Sequence, residues 1–68
     1  MLRDTRERLA REASVPSYVV ASNRTLDEMA SKRPTTRTAM LALHGMGPKR
    51  YQRYGSAFID VLRDWASP

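Results

Sequence analysis

The 68-residue chain carries twelve basic and seven acidic side chains, which give a net charge of +5, and it contains no cysteine. A chain of this length forms one domain, over residues 1–68, around a single small core. Disulfides and thiolate metal sites are excluded, and one histidine alone cannot hold zinc, so we expect no metal, no cofactor and no catalytic centre. The apolar runs are far shorter than a membrane span, and the N-terminus lacks the apolar block of a signal peptide, so we expect no membrane partner.

The N-terminal segment, residues 2–14, contains strong helix formers and neither glycine nor proline. Leu2, Leu9 and Ala13 fall on one narrow arc at 3.6 residues per turn, which predicts an amphipathic helix. We expect Pro16 to stop this helix, because the residue before a proline is pushed out of the α region. The apolar stretch that follows the proline is too short to distinguish an extended piece from a single helical turn.

A second helix is predicted to begin at residues 25–28, which have the form of a capping box. Thr25 would be the N-cap, and the Glu28 side chain would reach back to the N-cap backbone N–H. Pro34 ends this helix after Arg33, because a proline cannot continue the hydrogen-bond ladder.

A third helix is expected to begin near Thr35 or Thr36 and to run to Leu43. Its apolar residues lie on two faces, with Leu41 beside Arg37 on the second of them. Apolar residues on both sides of so short an element predict a central, mostly buried helix.

The last predicted helix follows a break at Gly45-Met46-Gly47, and Pro48 suits its first position because the missing N–H does no harm there. One side of this helix is apolar and should face the core, whereas charged residues occupy the other side. The apolar side contains Tyr51, Tyr54, Phe58, Val61, Leu62 and Trp65. Because no stretch alternates with period two, we predict an all-α fold, a compact bundle of about five short helices.

The excess positive charge is confined to the middle of the chain. Residues 29–59 contain six basic side chains and no acidic one, whereas the bases and acids before them cancel. A field of one sign attracts polyanions and raises their association rates, which predicts nucleic-acid binding. The alternative is a solvated surface whose charge is merely uneven.

The main candidate for a binding site is the segment 43–50, Leu-His-Gly-Met-Gly-Pro-Lys-Arg. Gly45 and Gly47 allow a tight turn and a close approach of the backbone to a ligand. The helix that follows begins with unpaired N–H groups, which suit a phosphate, and Lys49 and Arg50 lie in its first turn. Cations at that end cost a helix about 0.3–1 kcal/mol each, so their placement favours a ligand over stability. The alternative is a glycine-rich helix end with ordinary solvated cations.

This segment resembles the turn of helix-hairpin-helix DNA-binding motifs, and its surroundings extend the resemblance. The matching positions are Val15–Val20, Thr25, Leu26, Met29, Ala30, Arg33, Pro34, Met40, Leu41, Gly45–Gly47, Arg53–Gly55, Phe58 and Leu62. From Leu2 to about Trp65, the chain resembles the HRDC domain, which is found at the C-terminal end of RecQ-family DNA helicases and in ribonuclease D. The segments 15–20 and 45–55 favour the bacterial RecQ branch.

The resemblance implies an auxiliary nucleic-acid-binding domain within a larger, ATP-dependent DNA helicase, cytoplasmic and nucleoid-associated in a bacterium. In that family the tyrosine of the V-P-x-Y-V-V segment can lie on the face that meets single-stranded DNA, and this position is Tyr18. An exposed Tyr18 could stack on bases, whereas a Tyr18 wedged into the core would contribute nothing to binding. The predicted nucleic-acid-binding residues are Tyr18, Lys32, Arg37, Gly45, Gly47, Lys49, Arg50 and Arg53.

We therefore predict a domain that binds single-stranded or junction DNA through phosphates and has no catalytic activity of its own. Sequence specificity is not expected, because no element offers a series of polar side chains for reading a groove. One alternative is a protein-interaction module that docks on the helicase core of the same protein and regulates it, with Leu41 beside Arg37 at the contact. Another is the RNA-binding domain of a ribonuclease D-like protein.

Overall fold

The computed structural model describes residues 1–66, which form helices without any strand. The first four helices are α1 (Leu2–Ala13), α2 (Ser17–Val20), α3 (Asn23–Lys32) and α4 (Arg37–Leu41). The last helix has three consecutive segments, which are α5 (Pro48–Arg50), a π-helical turn (Tyr51–Gly55) and α6 (Ser56–Ala66). These five helical bodies confirm the predicted all-α bundle. None of the helices within residues 1–66 is long and apolar enough to cross a bilayer.

A single core is built from side chains of α1, α2, α3, α4, the turn before α5, the π turn and α6. Its fully buried side chains are Val20, Thr25, Met29, Met40, Met46, Phe58 and Leu62. The prediction that Tyr54, Phe58 and Leu62 face this core is confirmed. Full burial of a large apolar side chain in such a core stabilises the fold by about 1.5–3 kcal/mol.

The predicted face of the last helix is wrong at its C-terminal end. Trp65 is 36% exposed, and the Arg33 guanidinium lies over its ring at 4.0 Å from the centroid. Ile59, which a constant 3.6-residue period places off the apolar face, is buried. The π turn ahead of α6 holds more than 3.6 residues per turn, so it rotates the following segment away from the face that a constant period predicts.

The end of α1 and the conformation of the short apolar stretch after Pro16 are both defined in the structure. Ser14 adopts a left-handed conformation (φ 56°), and the Val15 N–H donates to the Ala10 carbonyl at 3.0 Å. This Schellman-type end stops α1 ahead of Pro16, which instead precedes α2 as its N-cap. Ala13, which shares an arc with Leu2 and Leu9 in the sequence pattern, is exposed, whereas Thr5 and Ala10 are buried. The short apolar stretch is a single helical turn, α2.

The predicted capping box at Thr25 is also wrong. Helix α3 starts at Asn23, and its N-cap is Ser22, whose Oγ accepts from the Thr25 N–H at 3.2 Å. Thr25 is therefore the third helical residue and faces the core. The Glu28 carboxylate accepts hydrogen bonds from the Lys32 ammonium and the His44 N–H and not from the N-cap residue. With Ser22 as the N-cap, the Thr25 side chain faces the core, where its hydroxyl donates to the His44 carbonyl.

Helix α4 begins as predicted, because the Oγ1 of Thr36 accepts from the Ala39 N–H at 3.2 Å. It ends at Leu41 and not at Leu43, and Met40 is its one buried residue. Five residues make little more than one turn, so only one side chain can face the core. The prediction of a mostly buried helix is therefore wrong, and Leu41 is half-buried.

Candidate nucleic-acid interface

The turn between α4 and α5 is held at the backbone of His44. The Thr25 hydroxyl donates to the His44 carbonyl at 2.7 Å, and the His44 N–H donates to Glu28 Oε1 at 3.4 Å. The His44 side chain is exposed. Met46, two residues further on, inserts its side chain into the core. The turn is thus fixed from within, and its outer surface is left to solvent.

The two glycines of this turn have different roles. Gly45 has φ +80°, and a Cβ built on it would lie 2.9 Å from Thr25 Oγ1. Conformation and close packing therefore both require glycine there. Gly47 has φ −78°, which any residue adopts, and nothing lies within 4 Å of a Cβ built on it. The space beside Gly47 is open for a ligand.

Arg50 joins the turn to α2. Its Nε donates to the Val19 carbonyl at 3.0 Å, Nη1 donates to the Gly45 carbonyl at 3.0 Å, and Nη2 donates to the Tyr18 carbonyl at 3.5 Å. The last carbonyls of a one-turn helix lack helical partners, and a cation is favourable at that end. The guanidinium therefore fixes α2 beside the turn, and it is half-buried there.

Tyr18 presents its ring to solvent next to the turn. Its side chain is 69% exposed, which excludes the alternative that it is wedged into the core. Its own carbonyl accepts from Arg50, so the residue is anchored by its backbone while its ring stays free. An exposed aromatic face in such a position can stack on an unpaired base.

Lys49 and Arg53 are both exposed on the last helix, four residues apart. Residues at this spacing share one side of a helix. A shallow depression next to them is lined by Gly45, Gly47, Pro48, Lys49 and Arg50. The open turn is thus bordered by cationic side chains.

Arg37 is brought to the same region by tertiary packing. Its guanidinium lies 5.7 Å from the centroid of the Tyr51 ring, a distance at which cation–π attraction operates. A second depression is lined by Arg37, Pro48, Tyr51, Gln52 and Ser56. Because Pro48 borders both depressions, Arg37 extends the cationic surface that surrounds the turn.

Lys32 has its charge opposed by an acid. Its Nζ lies 3.2 Å from Glu28 Oε1, and the Nε of Arg24 lies 3.9 Å from Glu28 Oε2. The hydrogen bond from Lys32 is the main cause that lowers the pKa of Glu28. Desolvation raises this pKa, but the His44 N–H and the positive charges of Lys32 and Arg24 also lower it, so the net shift is downward. Lys32 is therefore the predicted site residue whose charge is most directly compensated.

Sequence reasoning missed three structural roles at this site. Thr25 and Glu28 hold the turn, and Arg50 holds α2, although the pattern gave Thr25 and Glu28 to a capping box. A buried threonine inside a helix does signal a backbone partner. The identity of that partner depends on a residue 19 positions away along the chain.

In the described residues, no group of three or more His, Asp and Glu side chains could hold a metal ion.

The chain was compared with known proteins. The family model described as the HRDC domain matches residues 1–62. An ATP-dependent DNA helicase RecQ of Pasteurella multocida is 36% identical over 62 residues, which are 91% of this chain and 10% of that protein. The RecQ of Bacillus subtilis is 35% identical over 65 residues, 96% of this chain and 11% of that protein.

A helicase with a different name matches equally well. The ATP-dependent DNA helicase UvrD2 of Mycobacterium tuberculosis is 36% identical over 62 residues, 91% of this chain and 9% of that protein. The chain spans about a tenth of the length of the curated relatives it matches. It therefore corresponds to an accessory part of these helicases. With its helical bundle and a family match over residues 1–62, the chain belongs to the HRDC domain family.

Proposed function

We propose that this domain binds single-stranded or junction DNA weakly, through phosphate contacts and without sequence specificity, as an accessory domain of a DNA helicase. The observation that carries the proposal is the placement of an exposed aromatic ring, Tyr18, beside an open glycine turn whose depression is lined by Lys49 and Arg50, with Arg53 one turn further along the helix. Base stacking and phosphate neutralisation are the two contacts on which sequence-independent binding of single strands relies.

The distribution of charge supports an anionic ligand. The cationic surface falls within the acid-free residues 29–59, and Arg37 adds to it from α4. Glu28 opposes Lys32 at the border of this surface. We therefore give Lys49, Arg53 and Arg37 the phosphate contacts and expect a smaller contribution from Lys32.

The two glycines and Arg50 complete the proposed site. Gly45 sets the conformation of the turn, and Gly47 leaves space for a phosphate to approach the backbone. Arg50 adds positive charge to the same depression. DNA is the proposed polymer because the relatives are named as ATP-dependent DNA helicases. Catalysis would then lie in other parts of the parent protein.

A fluorescence anisotropy titration with labelled oligonucleotides at low and moderate salt tests the proposal. Three or four phosphate contacts should give a slope of log K against log salt of about −2 to −3 for a single strand. Scrambled sequences should bind alike, and an RNA strand of matching sequence tests the ribonuclease D alternative. Binding that is absent at low salt, or that ignores salt, would contradict phosphate recognition.

Charge reversal locates the site. Lys49→Glu with Arg53→Glu should strongly weaken binding and flatten the slope by about one unit per lost phosphate contact. Arg3→Glu with Arg8→Glu is the matched control, because it changes the net charge by the same amount at two exposed arginines of α1, where bases and acids interleave. Equal losses in both variants would mean that only net charge matters. If neither variant loses affinity, docking on the helicase core becomes the better hypothesis.

A further inference from the structure

We infer that Arg50 is a positioning residue, which sets the distance between the Tyr18 ring and the glycine turn, and that it does not act chiefly as a phosphate ligand. This inference rests on the proposed DNA binding. It assigns to Arg50 a role that charge alone does not predict, because lysine and arginine carry the same charge.

The inference depends on where the guanidinium donors point. Three of its nitrogens face three different carbonyls, those of Tyr18, Val19 and Gly45, at 3.0–3.5 Å. Two of these carbonyls belong to α2, and the third belongs to the turn 26 positions further along the chain from Val19. With most of its donors engaged by backbone, Arg50 has few left to offer a phosphate.

The segment that Arg50 holds has little intrinsic stability. Helix α2 is a single turn of four residues, closed by an Ala21 N–H that donates to the Ser17 carbonyl at 3.3 Å. Isolated turns of this length do not persist in water, so tertiary contacts must order them. Arg6 donates to the Ala21 carbonyl, directly after the last residue of α2, at 3.2 Å. Arg50 holds the carbonyls of Tyr18 and Val19 within the helical turn.

A mobile Tyr18 would have to be ordered when DNA binds. A base and a phosphate of one strand can be only a limited distance apart, so a tyrosine whose backbone is already fixed beside the turn can meet both contacts at once. Ordering the α2 segment at the moment of binding should weaken affinity about two- to tenfold. Arg50 would avoid that loss of affinity, because it holds α2 in place before DNA binds.

Arg50→Lys is the appropriate test, because it keeps the charge but replaces a planar fork by a single ammonium, which cannot bond three separate carbonyls. The control is Arg8→Lys, at an exposed arginine of α1 that lies outside the proposed site. Thermal melts establish that both variants are folded at the temperature of the measurement. We expect Arg50→Lys to weaken single-strand binding about two- to tenfold, with an unchanged salt slope, and Arg8→Lys to change it little.

A double-mutant cycle with Tyr18→Ala separates positioning from direct contact. If Arg50 acts through Tyr18, Arg50→Lys should lose its effect on affinity when Tyr18 is already alanine. Additive losses, or a salt slope that falls by about one unit in Arg50→Gln relative to Arg50→Lys, would show that the guanidinium contacts phosphate directly and would overturn the inference.

Amide hydrogen exchange on the free domain provides a readout that requires no DNA. The Ala21 amide should exchange several-fold faster in Arg50→Lys than in Arg8→Lys, because the bonds that hold α2 to the turn are lost. Unchanged exchange would overturn the inference even if DNA binds. If the wild-type domain does not bind DNA, the proposed function fails, and the exchange rates still decide whether Arg50 fixes this segment.

Discussion

The Oγ1 of buried Thr25, in α3, donates to the carbonyl of His44 at 2.7 Å, and this bond fixes the turn on which the candidate site is built. The same hydroxyl is the nearest atom to the position that a Gly45 Cβ would occupy. A core residue of one helix therefore determines both the place of the turn and the residue type that the turn accepts.

Thr25→Val should destabilise the domain although it preserves side-chain shape. The His44 carbonyl would lose its partner, and such a loss costs about 1–3 kcal/mol. Thr38→Val is the control, because Thr38 is exposed on α4 and its replacement should change stability by less than about 0.5 kcal/mol. Urea denaturation of both variants measures the difference. Equal stabilities would mean that the hydroxyl bond does not hold the turn.

Alanine at the two glycines of the turn should have opposite effects on stability. Gly45→Ala forces an alanine into φ +80° and against Thr25, with a cost of at least about 1–2 kcal/mol. Gly47→Ala meets open space at an ordinary φ and should stabilise by up to about 0.4–1 kcal/mol through the unfolded state. Thermal melts check both signs. If Gly47→Ala also weakens DNA binding, the phosphate approaches this backbone.

Gly55→Ala should destabilise the π turn. A Cβ built on Gly55 meets the ring of Tyr51, whose Cε2 would lie 2.8 Å away. Tyr51 is half-buried under Arg37, so its ring cannot move freely, and overpacking of this kind costs about 1–3 kcal/mol.

The ring of Tyr51 supplies the control for this prediction. In a Tyr51→Ala background the added methyl has space, and Gly55→Ala should become neutral or stabilising by up to about 1 kcal/mol, since glycine is unfavourable in a helix. Urea denaturation of the four proteins completes the cycle. A cost that persists without the ring would place the strain in the backbone of the π turn.

Glu28 should contribute to the loss of stability in acid. The hydrogen bond from Lys32, supported by the His44 N–H and the charges of Lys32 and Arg24, lowers its pKa in the folded domain. A folded pKa below the ordinary value means that the contribution is complete above about pH 4.5 and is lost as the pH falls through the folded pKa. Melting temperatures between pH 6 and pH 2 should therefore fall less steeply in Glu28→Gln than in wild type. Glu12→Gln, at the exposed end of α1, is the control. Parallel curves for wild type and Glu28→Gln would exclude this linkage.

Tyr18→Ala should separate binding from stability. The side chain is 69% exposed, so the free energy of unfolding should change by less than about 0.5 kcal/mol. Loss of a stacked base should weaken single-strand binding by about 1–3 kcal/mol. Tyr18→Phe keeps the ring and should keep the affinity. Anisotropy titrations and melts on the same samples provide both quantities, and an unchanged affinity for Tyr18→Ala would remove the ring from the interface.

Several features followed from the amino-acid sequence by itself. Proline, glycine and the helical spacing of apolar residues predicted α1, α3, α4 and the last helix in their order, because these signals act locally along the chain. They did not determine the conformation of residues 18–20. The burial of Phe58 and Leu62 followed from the same spacing. The residues that resemble the HRDC pattern, with the segments 15–20 and 45–55 among them, were sufficient to predict the family, which the match over residues 1–62 confirms.

Only the tertiary structure decided what holds the site together. The partners of Thr25 and Arg50 lie 19 and 31 positions away, and no local pattern encodes a hydrogen bond to a distant carbonyl. The exposure of Tyr18 and the partial exposure of Trp65 likewise depend on how α2 and α6 pack. A π turn, for which the residue pattern contains no signal, rotates α6 and shifts its buried face. Helix existence is a property of short segments, whereas the geometry of this interface comes from contacts between segments that meet only when the chain folds.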